Sequence, residues 1–213
     1  MASGHWLEIG EGVMNRIACF FLEPAQKFQR SLQRFAWDKH CSGRYSFHNA
    51  AVVIDRVAAV MVPMTNGCYP GEFPSSDLPL GRQDPRWPVK CDSCDYRFVP
   101  EDQWQQDQTL IYRRVDTGEE MTINAAPAGA MWYQDSEHFP SGPDGHRLMV
   151  RTPGGDWDVD SRASNCTLPD DTEHRCWVRH GDPRQPTTVT VDKNGRTCRA
   201  GAGSIIAGSY HGW

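Results

Sequence analysis

The sequence predicts an α+β protein dominated by β-structure, with mixed or antiparallel sheets, one clear amphipathic helix and a zinc-ribbon-like insertion. Three observations carry this expectation. Eight Trp and fifteen Pro in 213 residues give many turns with large side chains packed between them,. Short β-branched runs flanked by turn residues recur along the chain,. One segment departs from that pattern with a helical spacing of apolar residues, and a Cys-x-x-Cys pair closes a Pro-rich stretch,.

In chain order, residues 15–22 read as a short buried strand, and Pro24 stands where a helix can begin because its missing N–H is not needed there,. Over residues 25–40, Phe28, Leu32 and Phe35 fall at i, i+4 and i+7 with Lys27, Arg30, Gln33 and Arg34 on the other faces, which predicts the helix,. Residues 50–64 hold Val52, Val53, Ile54, Val57, Val60 and Val62, a strand pair or one long strand,. Residues 65–88 carry five prolines, a long turn-rich segment that needs an anchor,. Residues 100–106 resemble a short helix. Hairpins are expected about Asp116-Thr-Gly-Glu119, Pro153-Gly-Gly155 and Lys193-Asn-Gly195, and residues 204–213 are strand-like,. A soft boundary near Ala125-Ala-Pro separates an α+β part with the metal knuckle, 1–125, from a mostly β part, 126–213.

Composition narrows the function classes. The apolar fraction is 38% and the net charge −5, distributed as about +1 over residues 1–100 and about −6 over the rest,. No Lys/Arg run exceeds a pair, so a nucleic-acid partner is disfavoured, and the acidic, aromatic-rich C-terminal half suggests a protein surface instead,. No stretch approaches the roughly 20 apolar residues of a membrane span. Glu8 and Glu11 interrupt any secretory signal, and residues 1–13 read as a leader ahead of Met14,. The eight cysteines are therefore expected as thiols rather than a disulfide framework, with no bridge among Cys166, Cys176 and Cys198,.

Lys90-Cys-Asp-Ser-Cys-Asp95 has the form of a zinc knuckle, in which a tight turn aims backbone N–H groups at two thiolates,. A redox role fits poorly, because Asp92 and Asp95 oppose thiolate activation. Structural Zn²⁺ needs two more ligands. Cys68 and Cys41 are the expected pair, with His40 and His48 as further candidates. His48-Asn-Ala lacks the Glu that a deaminase-type site requires,.

A second constellation gathers Cys166, His174, Cys176, His180, Cys198 and His211. Three readings stand: buried small hydrophobes with satisfied histidines, a second metal site, or a thiolate–imidazolium nucleophile in an enzyme of hydrolase type. Asp156, Asp158 and Asp160 alternate on one face of an expected strand, suited to Ca²⁺ or acid/base chemistry but equally to a solvated face,. Ala200-Gly-Ala-Gly-Ser204 lacks the lysine of a phosphate loop,.

The blocks Ala126-Pro-Ala-Gly-Ala-Met-Trp132, Thr152-Pro-Gly-Gly-Asp-Trp157, Asp160-Ser-Arg-Ala-Ser-Asn-Cys166, His174-Arg-Cys-Trp-Val-Arg-His-Gly181 and Tyr210-His-Gly212 resemble a family encoded by bacteriophages and prophages. The similarity covers most of residues 14–213. It implies a viral gene product acting in the bacterial host cytoplasm or the virion, and it implies no catalytic activity. Combined with the knuckle, it suggests a phage accessory or virion-associated binding protein whose zinc is structural and whose partners are other virion proteins.

Overall fold

The computed structural model describes residues 6–7, 17–41, 47–58, 61–64, 67–70, 80–134, 142–162, 166–168, 170–171, 174–193 and 205–212. Its strands begin with β1 (Trp6–Leu7), β2 (Ile17–Ala18), β3 (Phe20–Ala36), β4 (His48–Ala58), β5 (Met61–Met64) and β6 (Gly67–Pro70). They continue with β7 (Gln103–Arg114), β8 (Glu120–Thr122), β9 (Ala130–Tyr133), β10 (Leu148–Thr152) and β11 (Gly155–Asp158). The last are β12 (Trp177–His180), β13 (Thr190–Lys193), β14 (Ile205–Ala207) and β15 (Tyr210–Gly212). The chain divides into two compact units, one from residues 1–24, 63–69 and 112–213 and the other from 25–62 and 70–111.

The expected amphipathic helix is absent, and with it the α+β class. Residues 25–36 belong to β3, and the helical elements among the described residues are two 3-10 turns, Ile123–Ala125 and Pro186–Thr188. The spacing of Phe28 and Leu32 was ambiguous, because an interval of four residues repeats a strand face as well as a helix face. Long-range pairing decides the outcome. The β-branched run of β4 lies antiparallel to β3, with Phe28 opposite Val57, Leu32 opposite Val52 and Arg30 opposite Asp55. Arg30 Nε donates to Asp55 at 2.7 Å and its Nη2 to the other carboxylate oxygen, so even the polar face is matched across the strands,. Phe35 has the opposite parity, yet Ser31, Leu32, Arg34, Phe35 and Ala36 are all buried. A strand covered on both faces needs no alternation,. The short helix expected at residues 100–106 is likewise replaced: β7 starts at Gln103, and Gln33 on β3 donates to Asp107 on β7 at 2.9 Å.

In the unit of residues 25–62 and 70–111, Leu32, Ile54 and Leu80 form the core with Val52 and Trp87 packed against it. The other unit is built on the strand order β11-β10-β9-β3-β7-β8, using the N-terminal end of β3 and the C-terminal end of β7. There Phe20–Leu22 runs parallel to Ala130–Trp132. Phe20, Leu22, Met121 and Trp132 fill one core cluster, while Phe21, Met131, Leu148, Val150 and Val159 fill another. At Gln26 β3 passes through a φ of 54°, in the left-handed region that non-glycine residues rarely adopt,. The β9-paired segment ends before this residue and the β4-paired segment begins after it.

Two expected hairpins are present. Asp116-Thr-Gly-Glu119 joins β7 to β8, with Arg114 N–H on the Glu119 carbonyl at 2.9 Å, and Pro153-Gly-Gly155 joins β10 to β11. Gly154 is required by close approach: a Cβ there would stand 2.1 Å from the Tyr210 backbone nitrogen. Within the segment expected to be strand-like, residues 205–212 form a tight hairpin, β14–β15. β13 pairs with β12, and residues 194–199, with the Asn-Gly of the third expected hairpin and Cys198, lie outside the described residues.

Candidate metal centre

Three separate stretches of chain in the unit of residues 25–62 and 70–111 converge on one point. Cys41 follows the end of β3, His48 opens β4, and Cys91 and Cys94 sit in the turn between Lys90 and Arg97, which themselves form an antiparallel bridge. Their ligand atoms, three Sγ and one imidazole nitrogen, all lie within 4.8 Å of one another, so the group can hold a metal ion. Cys41 Sγ is 3.6 Å from Cys94 Sγ and 4.0 Å from Cys91 Sγ, and Cys94 Sγ is 3.2 Å from His48 Nδ1. Cys41, His48 and Cys91 are buried and Cys94 half-buried.

The turn is built to receive thiolates. Cys91 N–H donates to the Tyr96 carbonyl at 2.9 Å, closing the loop, and Ser93 N–H donates back to Cys91 Sγ at 3.4 Å. Burial raises the pKa of Cys91, but donors from the Ser93 backbone, His48 and the Asn49 backbone outweigh it and bring the thiol down to about 6,. At Cys94 the Tyr96 backbone lowers the pKa, while burial and the adjacent sulfurs of Cys41 and Cys91 prevail and push it up. One anionic sulfur thus makes the next one costlier, a repulsion that a bound cation removes.

Support comes from the surrounding shell. The turn docks on β4 through Asp92 N–H to the Asn49 carbonyl at 2.9 Å and Ala51 N–H to the Asp92 carboxylate at 3.1 Å. The His48 ring stacks on Tyr96 with centroids 4.0 Å apart. Tyr96 O–H in turn donates to Asp102 at 2.8 Å, and Lys39 reaches both. On β3 the buried Arg34 donates to the carbonyls of Pro88 at 3.0 Å and Val99 at 2.7 Å, pinning both ends of the segment that carries the two cysteines. Burial lowers the Arg34 pKa, and its guanidinium lies 4.8 Å from the Phe98 ring centroid,.

Of the sequence-predicted ligands, Cys41, Cys91 and Cys94 meet here with His48. Cys68 lies on β6, and its side chain is outside the described residues. His40 is exposed and not part of the group. His48 takes its place because β3 and β4 pair as a hairpin, with Ala36 opposite His48, which returns the chain beside Cys41. His48 was already a candidate in the sequence, but the helix expected just before Cys41 gave no ground for preferring it to His40.

In the other unit, Cys166, His174 and Cys176 bring their ligand atoms within 4.8 Å of one another. His180 on β12 and His211 on β15 are exposed and stand outside that group. No disulfide joins any of the described cysteines. The alternating carboxylates do not form a cation site, since each meets an arginine. Asp156 pairs with Arg151 at 2.8 Å, Asp158 with Arg147 at 2.7 Å and Asp160 with Arg179 at 3.3 Å.

Sequence reading missed the centre around Arg179. Its side chain is fully buried, donates to Asp144 at 2.7 and 3.0 Å, and also reaches the His146 carbonyl. Burial opposes charge on Asp144, yet Arg179 and Tyr133 O–H, donating at 2.6 Å, hold its carboxyl well below the usual range. Burial and the Asp144 charge push Tyr133 up to about 12. Burial raises Asp160 despite Arg179 and the Leu148 N–H, so Asp144 is the principal counter-charge.

Comparison of the chain with protein-family models, curated proteins and solved structures finds no match.

Proposed function

We propose that this chain is a binding or structural protein rather than an enzyme, with a structural zinc ion held by Cys41, His48, Cys91 and Cys94. One observation carries the reading: four soft or borderline ligand atoms from three chain segments lie within 4.8 Å of one another. Zinc–sulfur bonds of about 2.3 Å imply sulfur–sulfur edges of about 3.8 Å. The distances of 3.6 and 4.0 Å bracket that edge and are far from the roughly 2.05 Å of a disulfide,. Three thiolates with one imidazole favour zinc over Mg²⁺ or Ca²⁺, and four protein ligands leave no position for a substrate.

A protein surface as partner is supported by an aromatic cluster in the same unit, where Trp37, 55% exposed, lies against Phe35 and Phe47 with ring centroids 5.0 and 4.0 Å away,. Assignment to a phage accessory or virion-associated role rests on the sequence blocks alone. The test of the zinc reading is elemental analysis of protein purified without added metal, with thermal melting before and after chelation. Bound zinc whose removal lowers the melting temperature supports it. A folded protein without zinc, or a melting temperature indifferent to the chelator, contradicts it.

A further inference from the structure

We propose that Cys166, His174 and Cys176 form a second metal site, which takes a zinc-class divalent ion through two thiolates and one imidazole. The site shares no residue with the first. His174 Nε2 stands 3.4 Å from Cys176 Sγ, close to the sulfur–nitrogen edge of about 3.6 Å expected around zinc,. The Leu168 N–H donates to Cys166 Sγ at 3.4 Å. The same contact, from residue i+2 to the sulfur of residue i at the same length, occurs between Ser93 and Cys91. In both places a backbone N–H is aimed at the sulfur, as the hydrogen-bonded surroundings of a thiolate ligand require,.

The chain path around the cluster supports the assignment. Between the end of β11 at Asp158 and the start of β12 at Trp177, the described residues contain no helix or strand. Such a stretch needs a pin. Arg162 ties it together by donating to the His174 carbonyl at 3.2 Å and the Leu168 carbonyl at 3.1 Å, which brings the Cys166 and His174 segments side by side. Cys176 and His174 are buried, and Cys176 packs with Trp177, Ile205 and Tyr210 beside the half-buried Cys166 and Leu168. The half-buried Cys166 is the sulfur the sequence offers as a nucleophile, and it shares its histidine with Cys176. At 1% exposure, Cys176 lacks the access a nucleophile needs but not what a metal ligand needs. Sulfur and imidazole donors select zinc-class ions over hard cations.

The experiment is zinc stoichiometry on the full chain, wild type against His174→Gln, Cys166→Ser and, for the first site, His48→Ala. Two zinc ions per wild-type chain are expected, with one lost from each variant. Retention of the full wild-type count in both His174→Gln and Cys166→Ser overturns the proposal. The two sites fail separately. Zinc lost only with His48→Ala leaves the first site standing alone, and zinc lost only with His174→Gln or Cys166→Ser leaves the second. Because a variant can misfold, alkylation of wild-type protein followed by peptide mass spectrometry supplies an independent readout. Cys166 is expected to be protected in zinc-loaded protein and modified once a chelator is present. Equal modification in both conditions, or a Cys166–Cys176 disulfide in the native protein, overturns the proposal.

Discussion

The turn around Cys91 and the loop around Asp144 solve the same problem with different chemistry. Each is an irregular segment that must be held against strands. The first is closed by three sulfurs and an imidazole, with Arg34 fastening its ends. The second is closed by a fully buried arginine shared between Asp144 and Asp160. On the proposed reading, soft ligands make that closure conditional on an ion,. A buried ion pair needs no ion but cannot lose either partner, since the survivor is left as an uncompensated charge. The first region should respond to metal supply, the second to mutation and extremes of pH.

The largest expected effect is removal of the ion from the Cys91 turn. A structural zinc contributes folding energy directly, so chelation or Cys91→Ser should cost about 5 kcal/mol or more. Denaturant titration followed by tryptophan fluorescence would measure it, and Trp87 lies in the affected core. Next, Arg179→Met should destabilise by about 3–5 kcal/mol by leaving the Asp144 and Asp160 carboxylates without their shared counter-charge, with partial recovery in Arg179→Met combined with Asp160→Leu,. A single variant as stable as wild type would remove the ionic centre from the account.

The pH dependence separates the two regions further. The Asp144 carboxyl is depressed in the folded state, so its contribution is present above the unfolded value near 3.8 and is lost as pH falls through the lower folded value,. Tyr133 is raised to about 12, so its contribution is present below the ordinary 10.0 and lost as pH rises through 12,. Melting curves of metal-free protein should therefore fall at both ends of the scale. Zinc release should begin at higher pH than the acid limb, because protons compete with the metal for its ligands. The smallest effect expected is that of Tyr96→Phe, which keeps the stack on His48 and loses the hydrogen bond to Asp102, at about 1.5 kcal/mol with zinc retained,.

The same contrast explains what could be read from sequence. Cys91-x-x-Cys94 was legible because a knuckle is local, and the turns at Asp116–Glu119 and Pro153–Gly155 were legible for the same reason. The strand at residues 25–36 was not, because Gln29, Arg30, Gln33 and Arg34 between Phe28 and Phe35 satisfy a helix locally, and only the partner strand with Val52 and Val57 reveals the ladder,. His48 stood among the candidates, but choosing it over His40 and Cys68 depended on that ladder. The Arg179 centre joins Asp144, Asp160 and Arg179 across up to 35 residues, a separation no motif spans. Asp156, Asp158 and Asp160 showed their alternation in sequence but not the arginines that neutralise them.

The central claim, that Cys41, His48, Cys91 and Cys94 act together on one ion, is tested most directly by the zinc content of wild type, His48→Ala and His48→Cys measured side by side. The account predicts that His48→Ala loses one zinc per chain and that His48→Cys, which restores a fourth soft ligand, recovers it. Equal zinc in wild type and His48→Ala would contradict the account.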